Sequence, residues 1–338
     1  MRRKTKEIRI GHLTIGGDAP IVIQSMTKTK TEDVEATLAQ IKELEEAGCE
    51  MVRVALPTLS SAKSLSKIKE KTKIPLIADV HFNYKIALCA IDSGCDKLRL
   101  NPGNISEKDK VAEIARKAGQ HKIPIRVGAN SGSVKDGQTL VSSCLKEIRT
   151  LEEEGFFNIV ISLKGTDIEE TVSAYKEMAE LTDYPFHIGI TEAGPIFSGS
   201  IKSAVGCGIL LQEGFGDTIR VSLTANPVEE VKVAKEILQA LNLHHFGPEI
   251  ISCPTCGRCQ VDLFSIVSQI EEKIKDRTCL AAKRIAIMGC EVNGPKEAKK
   301  ADFGLVGGLR CSVFRSGEIV KKVAEEDAAK ALLDEILG

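Results

Sequence analysis

Two stretches of the chain hold the residue types best suited to a metal centre. They are Cys253-Pro254-Thr255-Cys256-Gly257-Arg258-Cys259 and, further on, Gly289-Cys290-Glu291-Val292-Asn293-Gly294-Pro295-Lys296-Glu297. Cys-x-x-Cys with a distant third Cys, each set beside Gly and Pro, is how a chain wraps a metal. The tight turns aim backbone N–H groups at the sulfurs and lower the cost of clustering thiolates. A zinc site would most simply add a second Cys-x-x-Cys or a His pair, and neither follows. The spacing fits an iron–sulfur cluster held by Cys253, Cys256 and Cys290, with the fourth ligand open. Cys259 extends the run to Cys-x-x-Cys-x-x-Cys and is a rival third ligand. A structural zinc knot or a set of reduced surface thiols is the plainer alternative.

A second group of polar residues sits inside or just after β-branched runs. It comprises Gln24-Ser25-Met26-Thr27, Arg53, Asp79 with His81, Arg99 with Asn101, Arg126 with Asn130, Lys164, Glu192, and Arg220 with Ser222. Arg embedded in an apolar strand is unlike the Lys and Glu of a solvated loop. Arg53, Arg99, Arg126, Lys164 and Arg220 face Asp79 and Glu192 as their obvious carboxylates, a local positive surplus in a chain of net charge −1. Converging guanidinium groups recognise phosphate by bidentate hydrogen bonds. Asn101, Asn104 and Asn130, with Gly103, Gly128 and Gly132, would add amide donors and close backbone approach. The expected ligand is a small, multiply phosphorylated molecule. Nucleic acid is not expected, because it wants stacking platforms and the chain has no Trp and three Tyr.

The elements that must carry these residues alternate. Ile21-Val22-Ile23 precedes a helix from Val34 to Ala47 closed by Gly48. Met51 to Ala55, Pro75 to Ala78, Lys97 to Leu100 and Pro124 to Val127 read as the next strands. Between them lie helices near Ala62–Lys71, Tyr84–Ser93 and Asp109–Ala118. Ile159–Ser162, Phe186–Ile190 and Thr218–Ser222 supply three more strands, followed by helices Ile168–Leu181, Ser200–Glu213 and Pro227–Leu241. Eight strand–helix units between residues 20 and 240 make an α/β fold of the TIM (β/α)8 barrel type. In such barrels chemistry sits at the C-terminal ends of the strands, where the polar residues fall. A doubly wound sheet is the alternative, but no Gly-rich dinucleotide fingerprint follows the first strand.

The barrel is expected to span residues 1–246, and a smaller α/β domain over 247–338 to carry both Cys motifs. That second region contains an amphipathic helix Asp262–Asp276, a strand Arg284–Met288, a hairpin or strand pair around Phe303–Gly308, and a closing helix Glu325–Leu337. Eleven Cys without paired spacing argue for a reducing compartment rather than a disulfide scaffold. Cys49, Cys89, Cys95, Cys144 and Cys207 read as small buried hydrophobes, while Cys279 and Cys311 show no evident partner. The basic start lacks an apolar h-region, and no run reaches the ~20 apolar residues of a membrane span. The expected location is the cytoplasm.

Gln24-Ser25-Met26-Thr27, Ala78-Asp79-Val80-His81-Phe82, Arg99-Leu100-Asn101-Pro102-Gly103-Asn104, Gly189-Ile190-Thr191-Glu192-Ala193-Gly194, Cys253-Pro254-Thr255-Cys256 and Gly289 to Pro295 together resemble the IspG/GcpE family. These are the 4-hydroxy-3-methylbut-2-enyl diphosphate synthases of the non-mevalonate isoprenoid pathway. The likeness runs in order over essentially the whole chain. It implies a TIM barrel followed by a [4Fe-4S] domain, in a homodimer where one subunit's cluster caps the other's barrel. It also implies reductive ring opening of 2-C-methyl-D-erythritol 2,4-cyclodiphosphate with loss of a hydroxyl as water, and reduced flavodoxin or ferredoxin as electron donor. Carried over by position, the cluster ligands are Cys253, Cys256, Cys290 and Glu297, which makes Cys259 a bystander. Arg99, Arg126 and Lys164 would hold the diphosphate, supported by Asn130 and Ser222. Arg53, Asn101 and Arg220 complete the substrate ring, Asp79 and His81 are catalytic rim positions, and Glu192 is the candidate proton donor.

The chain departs from the family pattern at Lys296, where a small Gly usually precedes the glutamate ligand, and in a shorter segment after Ser133. The large insertion domain of plant-type members is absent. Three other readings compete. A radical-SAM enzyme would place Cys-x-x-x-Cys-x-x-Cys near its start, and a plain electron carrier needs no phosphate site. A zinc-stabilised barrel, such as a pterin-binding enzyme, is the third.

Overall fold

The eight barrel strands of the first unit are short, largely apolar runs with charged or polar residues within or just past them, and these runs pair in parallel. The computed structural model describes residues 2–81, 83–100, 105, 108–134, 137–274 and 277–338. A hairpin of β1 (Ile8–Ile10) and β2 (Leu13–Ile15) comes first. It is followed by β3 (Val22–Met26), β4 (Met51–Ala55), β5 (Leu76–Val80), β6 (Lys97–Leu100), β7 (Ile125–Asn130), β8 (Ile159–Lys164), β9 (His187–Ile188) and β10 (Thr218–Ile219). Their order is β8-β7-β6-β5-β4-β3-β10-β9, and the parallel bridge Ile161↔Phe186 closes β8 onto the β9 segment. The fold is therefore the expected parallel barrel. Ile8, Ile10 and Ile15 of the hairpin pack on Val22, Met51, Ile77 and Val160, plugging the lumen with apolar side chains at the strand starts.

The helices between the strands are α1 (Val34–Glu46), α2 (Leu59–Lys69), α3 (Tyr84–Asp92), α4 (Lys108–Gln120), α5 (Leu140–Glu153), α6 (Ile168–Leu181), α7 (Ile196–Gln212) and α8 (Pro227–Ala240). Most begin on a side-chain cap. Asp33, Thr58, Asn83, Thr139, Asp167 and Asn226 each accept a hydrogen bond from the first turn that follows. Of the eight strand–helix units expected, the helix between the fifth and sixth strands had no assigned bounds, and α5 lies there. Its capping box Thr139/Ser142 and its buried Val141, Cys144, Ile148 and Leu151 are an ordinary helical pattern. The last two barrel strands are shorter than expected. Just past β9, Gly189 has no room for a side chain, since a Cβ there would lie 2.3 Å from the Arg220 carbonyl oxygen.

The chain divides into two compact units between His244 and His245. The second holds β11 (Glu249–Ser252), α9 (Leu263–Ile274), β12 (Arg284–Met288), α10 (Gly294–Ala298), β13 (Phe303–Val306), β14 (Cys311–Arg315), β15 (Glu318–Val323) and α11 (Ala328–Leu337). The sheet runs β11-β12-β13-β14-β15, parallel over the first three strands and antiparallel thereafter. Period-two alternation gives it two apolar faces. Ile285, Ile287, Leu305, Cys311 and Val313 pack with α9 and α11, whereas Ala286, Met288, Val306 and Phe314 pack with Ala298 of α10. Phe303–Gly308 is therefore a single strand and its exit, not a hairpin. The hairpin is β14–β15, whose turn Ser316-Gly317 has positive φ at both residues, as a right-twisting two-residue turn requires. Cys311, which had no evident partner, is core. Among the described residues no helix is long and apolar enough to cross a membrane.

Candidate functional site

The period of a strand sends alternate side chains into the barrel, and in the upper layers those side chains are charged. Asp79 on β5 is the hub. Its Oδ1 accepts from Arg99 NH1 at 3.1 Å, and its Oδ2 lies 3.6 Å from both Arg53 Nε and His81 Nε2. The same Arg99 NH1 is 3.1 Å from the His81 ring nitrogens. Burial alone would raise the Asp79 pKa, but Arg53, the His81 hydrogen bond and Arg99 outweigh it and hold the carboxyl well below its ordinary range. Asp79 is thus a fixed anion at neutral pH.

One carboxylate does not balance the cations around it. Arg126 on β7 is 1 % exposed, and its Nε and NH1 have no hydrogen-bond partner. Burial, and then the neighbouring Arg99, pulls its guanidinium down to about 9. Arg53 is lowered by burial and then by Arg220. Lys164, at the end of β8, is lowered by burial and then by Arg220 and Arg53. These shifts all record positive charge crowded into low dielectric, about 4 kcal/mol of repulsion for two charges 4 Å apart at an effective dielectric of 20. An anion entering the ring would relieve it. Gln24, 1 % exposed, also has both amide atoms unpartnered. Buried polar groups without partners are rare unless a ligand satisfies them.

Arg220 has a partner that was not anticipated from the sequence. Glu230 on α8 is 2 % exposed, lies 3.7 Å from Arg220 Nε and 3.4 Å from Lys28 Nζ, and accepts from Ser25 Oγ and Leu223 N. Its one sequence signal is its place on the apolar face of a helix, beside Val231 and Ala234. Asn130, Lys164 and Glu192 come together on a cavity of about 540 Å³ that also takes in Thr191 and Lys202. Glu192 has φ +50°, a left-handed conformation uncommon for a residue with a side chain. Ser222 follows β10 and is half-buried. Asn101, with Gly103 and Asn104, lies outside the described residues.

In the second unit the thiols cluster at the ends of β11 and β12. Cys253 follows β11, and its Sγ accepts from Gly289 N at 3.3 Å. Cys259 N donates to Cys256 O at 2.9 Å, closing the loop, and Gln260 N reaches Gly289 O at 2.8 Å. Gly289 has no room for a side chain, since a Cβ there would sit 2.3 Å from Cys259 Sγ. Cys253, Cys259 and Cys290 are half-buried and Cys256 is exposed. Lys296 has ordinary helical backbone inside α10, so the turn that presents Glu297 forms with a long side chain in it. Glu297 is within 3.9 Å of Lys300. Among the described residues no three His, Cys, Asp or Glu side chains are gathered into a preformed metal cage. The donor types nonetheless suit iron and sulfide. They are thiols kept out of the core, one of them with an N–H aimed at its sulfur.

The barrel is similar in fold to dihydropteroate synthase from Stenotrophomonas maltophilia, with TM-score 0.54 and 13 % identity over 70 % of this chain and 98 % of that one. The Yersinia pestis dihydropteroate synthase is similar too, at 0.53 and 11 %. At that identity the likeness speaks for fold alone. Sequence relatives reach further. The 4-hydroxy-3-methylbut-2-en-1-yl diphosphate synthase (flavodoxin) of Geobacter sulfurreducens is 50 % identical over 99 % of this chain and 98 % of its own length. The enzyme of the same name from Thermodesulfovibrio yellowstonii is 50 % identical over 99 % of each chain. The family descriptions "GcpE TIM-barrel domain" and "GcpE protein C-terminal domain" match residues 5–235 and 249–337. With both domains matched in order and relatives of this identity spanning the full length, the chain belongs to the GcpE family.

Proposed function

We propose that this chain converts 2-C-methyl-D-erythritol 2,4-cyclodiphosphate to (E)-4-hydroxy-3-methylbut-2-enyl diphosphate, as its relatives' names describe for their product, with electrons from reduced flavodoxin or ferredoxin. Two electrons and, counted on the fully protonated species, two protons enter. A ring C–O bond to phosphate breaks, a hydroxyl leaves as water, and a carbon–carbon double bond forms. The observation that carries the reading is the ring of Arg53, Arg99, Arg126, Lys164 and Arg220 with Asp79, buried at Arg99 and Arg126 and half-buried at the other cations, a charge pattern that calls for a compact diphosphate.

In this reading Arg99, Arg126 and Lys164 bind the diphosphate, with Asn101, Asn130 and Ser222 as supporting donors and Arg53 and Arg220 completing the ring. Asp79, held ionised, fixes the planes of Arg53 and Arg99, so these donors do not reorient as charge develops. His81 joins them at the rim. Glu192, on the cavity shared with Lys164, delivers the proton to the departing hydroxyl. Unchanged turnover of Glu192→Gln with an artificial reductant would remove it from that role. Cys253, Cys256, Cys290 and Glu297 are the residues that would hold a [4Fe-4S] cluster, which supplies the electrons and an iron open to a substrate oxygen. A carboxylate is a hard, exchangeable ligand for iron, which suits Glu297 to the position that must open.

The barrel would span residues 1–246 and the cluster domain 247–338. Because they are separate units, a homodimer in which one subunit's cluster domain caps the other's barrel is part of the proposal, as is a cytoplasmic location. The test is anaerobic incubation of cluster-loaded protein with the cyclodiphosphate and dithionite. Linear diphosphate should appear, and its absence from a brown, cluster-replete sample would overturn the assignment.

A further inference from the structure

Below the rim the barrel lumen holds two more bases that the reaction does not call on. His187 on β9 is fully buried. Its Nδ1 lies 2.7 Å from Thr218 Oγ1 on β10, and its Nε2 has no hydrogen-bond partner. Lys97 on β6 is also fully buried, and the contact described for its Nζ is Met51 Sδ at 3.6 Å, a weak acceptor. The charged groups acting on His187 are Arg126, Lys97, Lys164 and Arg53, all cationic, and those acting on Lys97 are Arg126 and Arg53.

The carboxylates nearby are committed elsewhere. Asp79 is held by Arg53 and Arg99. Asp217, next to Thr218 in the chain, takes Phe186 N at 2.7 Å and Arg2 NH2 at 2.8 Å. Tyr175 on α6 spends its hydroxyl proton on the His187 carbonyl. Among the described residues, the two buried bases thus lie among cations with no anion placed on them, which disfavours the charged form of each, His187 and Lys97 both being pushed down first by burial and then by Arg126.

We propose that the buried pair His187 and Lys97 takes up a proton when the cyclic diphosphate binds the cations above it. The inference rests on the barrel reading given above and deepens it. An anion above the pair favours the charged form of each base, so binding raises their pKa values, and between the free and bound values protons enter with the ligand. Affinity then strengthens as pH falls. The ligand itself cannot be the acceptor, because each of its two phosphates carries one acidic hydroxyl, ionised far below neutral pH.

The experiment is titration calorimetry of the oxidised, cluster-loaded protein with the cyclodiphosphate, without reductant. It is run between pH 6 and 8 in buffers of differing ionisation enthalpy. The slope of binding heat against buffer ionisation enthalpy counts the protons taken up. Wild type should show uptake of a sizeable fraction of a proton somewhere in this range. His187→Gln or Lys97→Met should reduce it, and the double variant should bind with heats independent of buffer. Ring nitrogen shifts of His187 and the Nζ shift of Lys97, read by nitrogen NMR on wild type, decide the same question without a variant, since one of the two must move toward its protonated form. A zero slope in wild type throughout, or uptake persisting in the double variant, overturns the proposal. Absence of binding heat altogether would instead remove the barrel site, and this inference with it.

Discussion

The two units of the chain prepare for their ligands in opposite ways. In the barrel, the charged side chains are held in place before anything binds. Asp79 pins Arg53 and Arg99, Glu230 pins Arg220, and the strands leave Arg126 no freedom to seek water. In the C-terminal unit Cys256 is exposed, Glu297 projects from a five-residue helix, and the described donors form no cage by themselves. The difference fits the guests proposed for each, a diphosphate for the barrel and iron with sulfide for the second unit. Phosphate is gripped through directed hydrogen bonds, which gain from donors already in place, so the barrel carries charge repulsion as a standing cost. Iron and sulfide form bonds strong enough to gather thiolates from loops, so that site can be completed by its guest.

The sharpest way to break this contrast is to remove a thiol. On the proposed ligand set, Cys290→Ser should lose the brown iron–sulfur colour and fall to background activity, while the cyclodiphosphate still binds the barrel. Cys259→Ser should keep both colour and turnover. A colourless Cys259→Ser with a brown Cys290→Ser would reverse the ligand assignment and reinstate the Cys-x-x-Cys-x-x-Cys reading.

Within the barrel, two arginines one strand apart should respond oppositely. Arg99→Met removes one charge-assisted hydrogen bond from buried Asp79 and leaves Arg53 and His81 to hold the anion, so unfolding free energy should fall by about 2 kcal/mol. Arg126→Met removes a cation with two unpartnered nitrogens, so the ligand-free protein should become more stable by roughly 1–3 kcal/mol. The same change should weaken the cyclodiphosphate roughly 10- to 100-fold, the worth of one lost charge-assisted contact. Urea unfolding and titration calorimetry on both variants check this. If Arg126→Met is destabilised as much as Arg99→Met, the lumen is not overcharged.

Much of this was legible in the sequence, and the reasons it stopped are local. Arg inside a β-branched run can be read as an inward cation because side-chain direction alternates along a strand. Which carboxylate each cation meets depends on register and on helices packed outside, so Asp79 was readable beside His81 but Glu230, arriving from α8, was not. The spacing of the Cys motifs pointed to an iron–sulfur cluster and left a zinc knot open. The choice between Cys259 and Cys290, and the candidacy of Glu297, came from the family resemblance, since no local rule singles out a glutamate on a short helix. Phe303–Gly308 was misread because a Gly-Gly exit imitates a turn, while the real turn, Ser316-Gly317, with positive φ at both residues, was passed over although Ser-Gly is itself a turn signal.

Gly289 offers a smaller test of how tightly the second unit holds its loop. An alanine there would bring its Cβ to 2.3 Å from Cys259 Sγ while leaving Cys253 Sγ at 3.6 Å. Gly289→Ala should therefore cost about 1–3 kcal/mol of stability and loosen the Cys253–Cys259 loop. Adding Cys259→Ala removes the clashing atom and should restore most of the loss. Failure of the double variant to recover would mean that the glycine is needed for the backbone and not for the room it leaves.

The smallest effect separates the units by their dependence on pH. His187 has its pKa lowered in the folded barrel, so the unfolded chain binds a proton more readily, and stability from this residue is present above the ordinary histidine value. As pH falls below about 6.5 the unfolded chain takes up that proton and the contribution is lost, with a slope of at most about 1.4 kcal/mol per pH unit. His187→Gln should flatten the ligand-free stability profile between pH 6.5 and 5 while leaving the acid limb set by Asp79, which lies lower because its carboxyl is held ionised. The C-terminal unit has one histidine, His245 at its boundary, so whatever slope survives in His187→Gln over that window must come from other groups of the barrel, from His245 or from carboxylates. A wild-type profile flat between pH 6.5 and 5 would mean that His187 is charged in the fold despite the cations around it.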